Sequence, residues 1–224
     1  MIPIKDHNPS GGVPIVTYLL LASNILIFIF MQSMSLSSQE EFIYTYSLIP
    51  NEIANGIGLF TLISSMFLHG SIGHIVGNML FLNIFGDNLE STLGHVKYLL
   101  FYLAAGLVAS FAQILTDPTS QIPNLGASGA IAGLMGGYLL LYPRHKIDIL
   151  LPIGLAYRTA TVPAYTMLFY WIVAQIFSGV GQFAVESTGG VAYFAHIGGF
   201  LAGLILIWLL RGAGLTRKSS AEIS

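Results

Sequence analysis

The chain has 224 residues, 54% of them hydrophobic and only 8% charged, with a formal net charge of −2. Soluble domains carry about a quarter charged residues, so this composition excludes an ordinary water-soluble fold, and no nucleic-acid partner is implied. Cysteine is absent, which excludes a disulfide framework, a thiol nucleophile and a thiolate metal site.

Residues 1–12 precede the first apolar run and are expected to form a cytoplasmic N-terminal segment. Six runs approach the roughly 20 residues that a helix needs to cross a hydrocarbon core of about 30 Å. They are Val13–Met31, Phe60–Phe85, Val96–Leu115, Ser128–Tyr142, Ala164–Phe177 and Val191–Leu210. The first is too long for the core of a signal peptide and lacks a small-residue cleavage site, so it reads as a retained span. Ile147–Tyr157 is also apolar, but it is short and contains Asp148 and Pro152, which suits a surface segment better than a span. The polar stretch 212–224 reads as a mobile cytoplasmic tail. The expected fold is an all-α polytopic membrane protein. It is a bundle of six transmembrane helices forming one domain over residues 13–211, with a short fourth helix.

The eight Lys and Arg residues sort completely on this scheme. Lys5 precedes the first span, Lys97 lies between the second and third, Arg144, Lys146 and Arg158 lie between the fourth and fifth, and Arg211, Arg217 and Lys218 follow the sixth. Cytoplasmic loops collect positive charge, so both termini are expected inside. The opposite loops carry only acids, namely Glu40, Glu41, Glu52, Asp117 and Glu186. Five or seven spans would spoil the sorting.

Polar residues within spans are expensive and are functional candidates when they can face the bundle interior. Three clusters stand out, around His69, His74 and Asn78, around Gly126, Ser128, Gly129 and Gly133, and around His196, Gly199 and Gly203. All open spans that run from outside to inside, so they gather in the outer leaflet. Ser128 lies roughly 24 Å above Arg144, and His196 roughly 22 Å above Arg211. The fourth run covers only about 22 Å, so its start is expected to be recessed below the outer surface, where non-helical backbone must line an enclosed, water-accessible cavity. Gly129-xxx-Gly133-xxx-Gly137 and Ala195-xxx-Gly199-xxx-Gly203 are small-residue stripes through which two helices can approach closely. Taken singly, a serine in a membrane helix is more often a packing residue bonded to its own backbone. Convergence with three histidines and an asparagine changes that weighting for Ser128. His69, nearest the surface, is as readily a structural residue as a functional one.

His69-x4-His74-x3-Asn78, the Gly126-x-Ser128-Gly129 turn with Gly133, and Ala195-His196-x-x-Gly199-x-x-x-Gly203 together resemble the rhomboid intramembrane serine proteases, in order and across the membrane core. The resemblance implies a minimal six-span form in a prokaryotic cell membrane, with the site opening to the outer side. It implies Ser128 as nucleophile and His196 as general base and then general acid. His74 and Asn78 would join the Ser128 N–H in stabilising the oxyanion, and Gly126, Gly129, Gly133, Gly199 and Gly203 would serve packing. Substrates would be proteins with a single transmembrane segment, met within the lipid bilayer. The sequence departs from many rhomboids in one respect, since residues 34–58 lack the family's Trp-Arg pair.

The residues agree with that chemistry. A serine hydroxyl needs an adjacent base, and no Asp or Glu falls inside the expected spans, so a Ser-His dyad is expected to work without an acid. No metal or cofactor is implied, because His69 and His74 are five residues apart, about 140° around a helix, and no H-E-x-x-H pattern occurs. A non-catalytic rhomboid-like protein that holds membrane clients, or less readily a small transporter or channel, is the competing reading. Reporter fusions placed after Arg158 and after Arg217 are both expected to read cytoplasmic, and an external signal at either would break the depth argument.

Overall fold

The computed structural model describes residues 1–8, 11–154, 156–182 and 190–214. Glu186, Arg217 and Lys218, which entered the charge sorting, lie outside the described residues, as does the tail beyond residue 214. Strand β1 (Ile2–Asp6) precedes helix α1 (Ile15–Gln32). The connection that follows holds α2 (Leu36–Tyr46), α3 (Pro50–Ala54), α4 (Thr61–Ser64) and a 3-10 turn at Ser65–Phe67. Then come α5 (Ile72–Leu93), α6 (His95–Thr116), α7 (Ser128–Leu141), a hairpin of β2 (Lys146–Ile153) and β3 (Ala156–Pro163), α8 (Ala164–Gln182) and α9 (Tyr193–Gly212).

Among the described residues, four helices are long and apolar enough to cross a membrane: α1, α6, α8 and α9. Each keeps large apolar side chains exposed, such as Leu26, Leu115, Phe177 and Trp208, which suits helices that face hydrocarbon on one side. Helix α7 is apolar but has 14 residues, about 21 Å. Every residue from Gly129 to Tyr138 is buried, because a helix that is hydrophobic all round belongs in the centre of a bundle. Helix α5 matches α6 at 22 residues but carries Asp87 and Glu90 in its last two turns.

Two expectations need correction. The second apolar run does not form one helix from Phe60. Leu68 is extended (ψ 147°), and α5 starts at Ile72 behind Ser71, whose hydroxyl accepts the His74 N–H at 3.2 Å. A serine that follows a glycine competes with continued helix and supplies the cap instead. The helix then continues to Leu93 and stops at Gly94 (φ 77°), a left-handed position that suits glycine.

The fold is mostly helical but not all-α, because β1, β2 and β3 form an antiparallel sheet in that order. Ile2 pairs with Leu150, Asp6 with Ile147, and Asp148 with Thr161. The stretch expected to lie at the surface is a strand with alternating faces. Ile147 and Ile149 are fully buried in the core. Asp148 between them accepts from Thr161 Oγ1 at 2.6 Å and lies 2.9 Å from His7 Nε2, and these contacts hold its carboxyl below the usual carboxylate range. Asp6 accepts from Tyr138 Oη of α7 at 3.1 Å and from Asn88 Nδ2 of α5 at 2.6 Å, which fastens the sheet beneath the bundle. Burial nevertheless pushes the Asp6 carboxyl up.

Glu90 explains how α1 begins. The residue before that helix is Pro14, with no side-chain cap. The buried Glu90 carboxylate accepts from the N–H groups of Val16 and Thr17 at 2.8 Å each and from Thr17 Oγ1 at 2.7 Å. A negative charge at a helix N-terminus meets the positive end of its dipole. His95 Nδ1 lies 2.6 Å from the same carboxylate, so one side chain joins α1 to the α5–α6 corner. Glu90→Ala leaves the Val16 and Thr17 N–H groups without their acceptor and is expected to destabilise the protein by about 3 kcal/mol. Thermal denaturation in detergent would measure it, and an unchanged midpoint would show that water replaces the carboxylate.

Candidate functional site

Helices α7 and α9 meet backbone to backbone. A side chain built on Gly199 would collide with the Gly129 carbonyl oxygen, and one on Gly203 with that of Gly133. On its other side α7 packs against α6, where a Cβ on Gly129 would lie 2.6 Å from Ala109 Cβ and one on Gly133 would collide with Ala105. Ser128, at the first turn of α7, and His196, in the first turn of α9, therefore face each other across a very short gap. Ser128 Oγ and His196 Nε2 lie 2.8 Å apart and share a hydrogen bond.

The opposite wall comes from α5. Asn78 Nδ2 donates to His69 Nε2 at 2.8 Å, and both residues are buried. The His69 and His74 rings stand edge to face with centroids 5.0 Å apart. His74 Nε2 and Asn78 Nδ2 converge on Gly126, where a Cβ would lie 2.7 Å from the first and 3.6 Å from the second. Gly126 also sits at φ 124°, so both its backbone and its neighbour require glycine. Two residues later the chain enters α7 with no side chain capping it, which leaves the N–H groups of its first turn free to meet a ligand.

A cavity of about 560 Å³ opens over this arrangement, lined by His74, Asn78, Phe81, Ser128, Trp171 and His196 among others. The structure thus brings together His74 and Asn78 of α5, Gly126 and Ser128 at the start of α7, and His196 of α9. His69 contacts the cluster through Asn78 and stands behind it. Two residues of α8 were missed from the sequence, one turn apart on one helix face. Trp171 lies tilted against the imidazole of His196, with centroids 5.7 Å apart. Gln175 Oε1 accepts from His196 Nδ1 at 2.7 Å. The signal was available, because Gln175 is a polar residue inside an expected span.

Apolar helices around a partly enclosed cavity define an integral membrane protein in which a half-buried serine and histidine meet. Its sequence matches the Rhomboid domain over residues 57–213, and the chain belongs to the rhomboid family. It is 29% identical to rhomboid protease GluP of Bacillus subtilis over 86% of its own length and 34% of the relative's. It is 31% identical to the putative rhomboid protease YdcA of the same bacterium, over 57% of this chain and 62% of that one. With RHOMBOID-like protein 6, mitochondrial, of Arabidopsis thaliana it shares 33% identity over 71% of this chain and 46% of the relative. The matches thus span about a third to three-fifths of these relatives' lengths.

Gly126→Ala is expected to lower the thermal midpoint, since it combines a left-handed backbone with a collision against the His74 ring. Gly73→Ala, where a side chain meets nothing within 4 Å, is expected to leave the midpoint unchanged or raise it, as alanine favours helix. Equal effects at the two positions would show that the His74 ring yields freely.

Proposed function

We propose that this protein is an intramembrane serine endopeptidase that cleaves a peptide bond in or near the transmembrane segment of membrane-protein substrates. The observation that carries the reading is the 2.8 Å hydrogen bond between Ser128 Oγ and His196 Nε2, made in the wall of a cavity among apolar helices. Relatives named as rhomboid proteases support it.

The chemistry follows from that geometry. His196 Nε2 takes the hydroxyl proton as Ser128 Oγ attacks the substrate carbonyl carbon, and the carbonyl oxygen becomes an oxyanion. The N–H of Ser128, the free amide proton of Asn78 and the ring of His74 supply donors for that charge. Each donor aimed at a developing oxyanion contributes a few kcal/mol. His196 then gives its proton to the leaving amine, and the C–N bond breaks to leave an acyl ester on Ser128. Water enters, loses a proton to His196 and attacks the ester, which releases the new carboxyl terminus and restores the hydroxyl. His69 holds Asn78 in place from behind and has no part in proton transfer.

The membrane frame is part of the proposal. Residues 13–211 form a six-span domain in which α1, α5, α6, α7, α8 and α9 all cross, flanked by residues 1–12 and 212–224 on the cytoplasmic side. The 14-residue α7 is too short to fill the core, so its start, with Ser128, is recessed toward the membrane interior. Lys5, Lys146 and Arg158 belong to the sheet strands, and Arg211 reaches the Leu140 carbonyl at the end of α7 at 3.3 Å. That grouping of basic residues suits one cytoplasmic face, with the cavity opening to the other side.

A fluorophosphonate should label Ser128 covalently, and mass spectrometry should map the adduct there. Ser128→Ala and His196→Ala should abolish both labelling and cleavage of a membrane-spanning substrate, whereas Asn78→Ala should retain labelling and lower turnover by about 10²–10³-fold. Full labelling of His196→Ala, or an adduct on another residue, would remove this reading in favour of a client-binding protein.

A further inference from the structure

We infer that Gln175 of α8 is a positioning residue for His196, the neutral third member of a Ser-His-Gln relay. The inference rests on the Ser128–His196 reading and adds what that reading lacks, a group that fixes the imidazole. A neutral imidazole has one protonated and one bare nitrogen, and only a bare Nε2 can receive the serine proton. Nothing in the Ser128–His196 contact alone selects that tautomer, because the hydroxyl can donate or accept. Gln175 Oε1 selects it. A carbonyl oxygen 2.7 Å from Nδ1 can only accept, so the proton must reside on Nδ1 and Nε2 is left bare, 2.8 Å from Ser128 Oγ. An acid plays this orienting part in a Ser-His-Asp triad. A carboxylate would carry charge into an apolar helix face, which is costly, whereas an amide gives the same acceptor without it.

Trp171, one turn before Gln175, completes the clamp. Its indole lies against the His196 ring and blocks rotation about the Cβ–Cγ bond, so the ring is fixed by one hydrogen bond and one face contact from the same helix. The groups that face His196 from the other elements are Ser128 of α7 and, electrostatically, His74 of α5. Gln113 of α6 binds the neighbouring Ala195 N–H at 3.2 Å. Among the described residues, His74 is therefore the titratable side chain whose charge must be followed alongside that of His196.

Three variants of the full chain in detergent, Gln175→Leu, Gln175→Glu and His74→Gln, test the proposal by fluorophosphonate labelling of Ser128 as a function of pH, together with ¹⁵N NMR of histidine-labelled protein. Gln175→Leu keeps the volume and removes the acceptor. It should slow labelling by about 10- to 100-fold, lower kcat with little change in KM, and move His196 toward the Nε2-protonated form. Gln175→Glu keeps an acceptor and adds charge, so it should rescue labelling and shift the acid limb of the pH profile upward by about one to three pH units. The limb should survive in His74→Gln, which assigns it to His196. Wild-type labelling rates in Gln175→Leu, an unmoved limb in Gln175→Glu, or a protonated Nε2 in the unmodified protein would overturn the assignment. If the unmodified protein shows protonated Nδ1 yet never labels, the Ser128–His196 reading fails while the Gln175 contact stands.

Discussion

The contact between the backbones of α7 and α9 is the constraint on which the rest of this structure depends. Two glycines on α9 lie against two carbonyl oxygens of α7, and no other residue fits at that separation. Lipid gives helices no hydrophobic reason to associate, so close van der Waals packing between small residues must supply the attraction. The distance between the helix axes then decides the distance between the first residues of each helix. A serine side chain is one bond long beyond its Cβ, so it reaches the imidazole only because the backbones already touch.

Burying α7 in this way creates a second requirement, because the chain must arrive at Ser128 through non-helical backbone. Such backbone polar groups need partners inside the protein. The connection between α1 and α5 supplies them. Leu48 and Asn124 exchange two backbone hydrogen bonds of 2.9 and 2.7 Å, the Asn51 N–H donates to the Ser120 carbonyl at 3.0 Å, and the Gly126 N–H donates to the Ser65 carbonyl at 2.9 Å. The first long loop, although it lacks the family's Trp-Arg pair, is thus the scaffold against which the approach to the nucleophile is laid down. The 3-10 turn that interrupts the second apolar run has the same purpose, since its Ser65 carbonyl faces outward to meet Gly126.

Much of this was legible in the sequence where lipid makes polarity costly. His74, Asn78, Ser128 and His196 stand out because each is a polar side chain in an apolar run, and the glycine stripes at four-residue spacing pointed to the helix pair that joins them. Gln175 obeys the same rule but sits alone among apolar neighbours, so no cluster drew attention to it. The helix break before Ile72 was hidden because hydropathy averages over a window and cannot see a serine cap. The strands were hidden for another reason. The alternation of Ile147 and Ile149 with Asp148 is a period-two signal, but it is short, and although β3 follows at once in a hairpin, the other partner, β1, lies at the far end of the chain, where pairing leaves no local trace. Glu90 drew no reading, because the six-run scheme ended the second run at Phe85, before it.

The sheet that joins residues 2–6 to residues 146–163 also orders events during synthesis. Chains emerge at about 5–20 residues per second, so β1 waits roughly 7 to 30 s for its partner strand to leave the ribosome. By then α1, α5, α6 and α7 have all been made, and their local contacts have had time to form first. Closing the sheet cannot nucleate the bundle. It works as a clasp on helices already gathered, drawn shut only once the segment bearing Ser128 has taken its place.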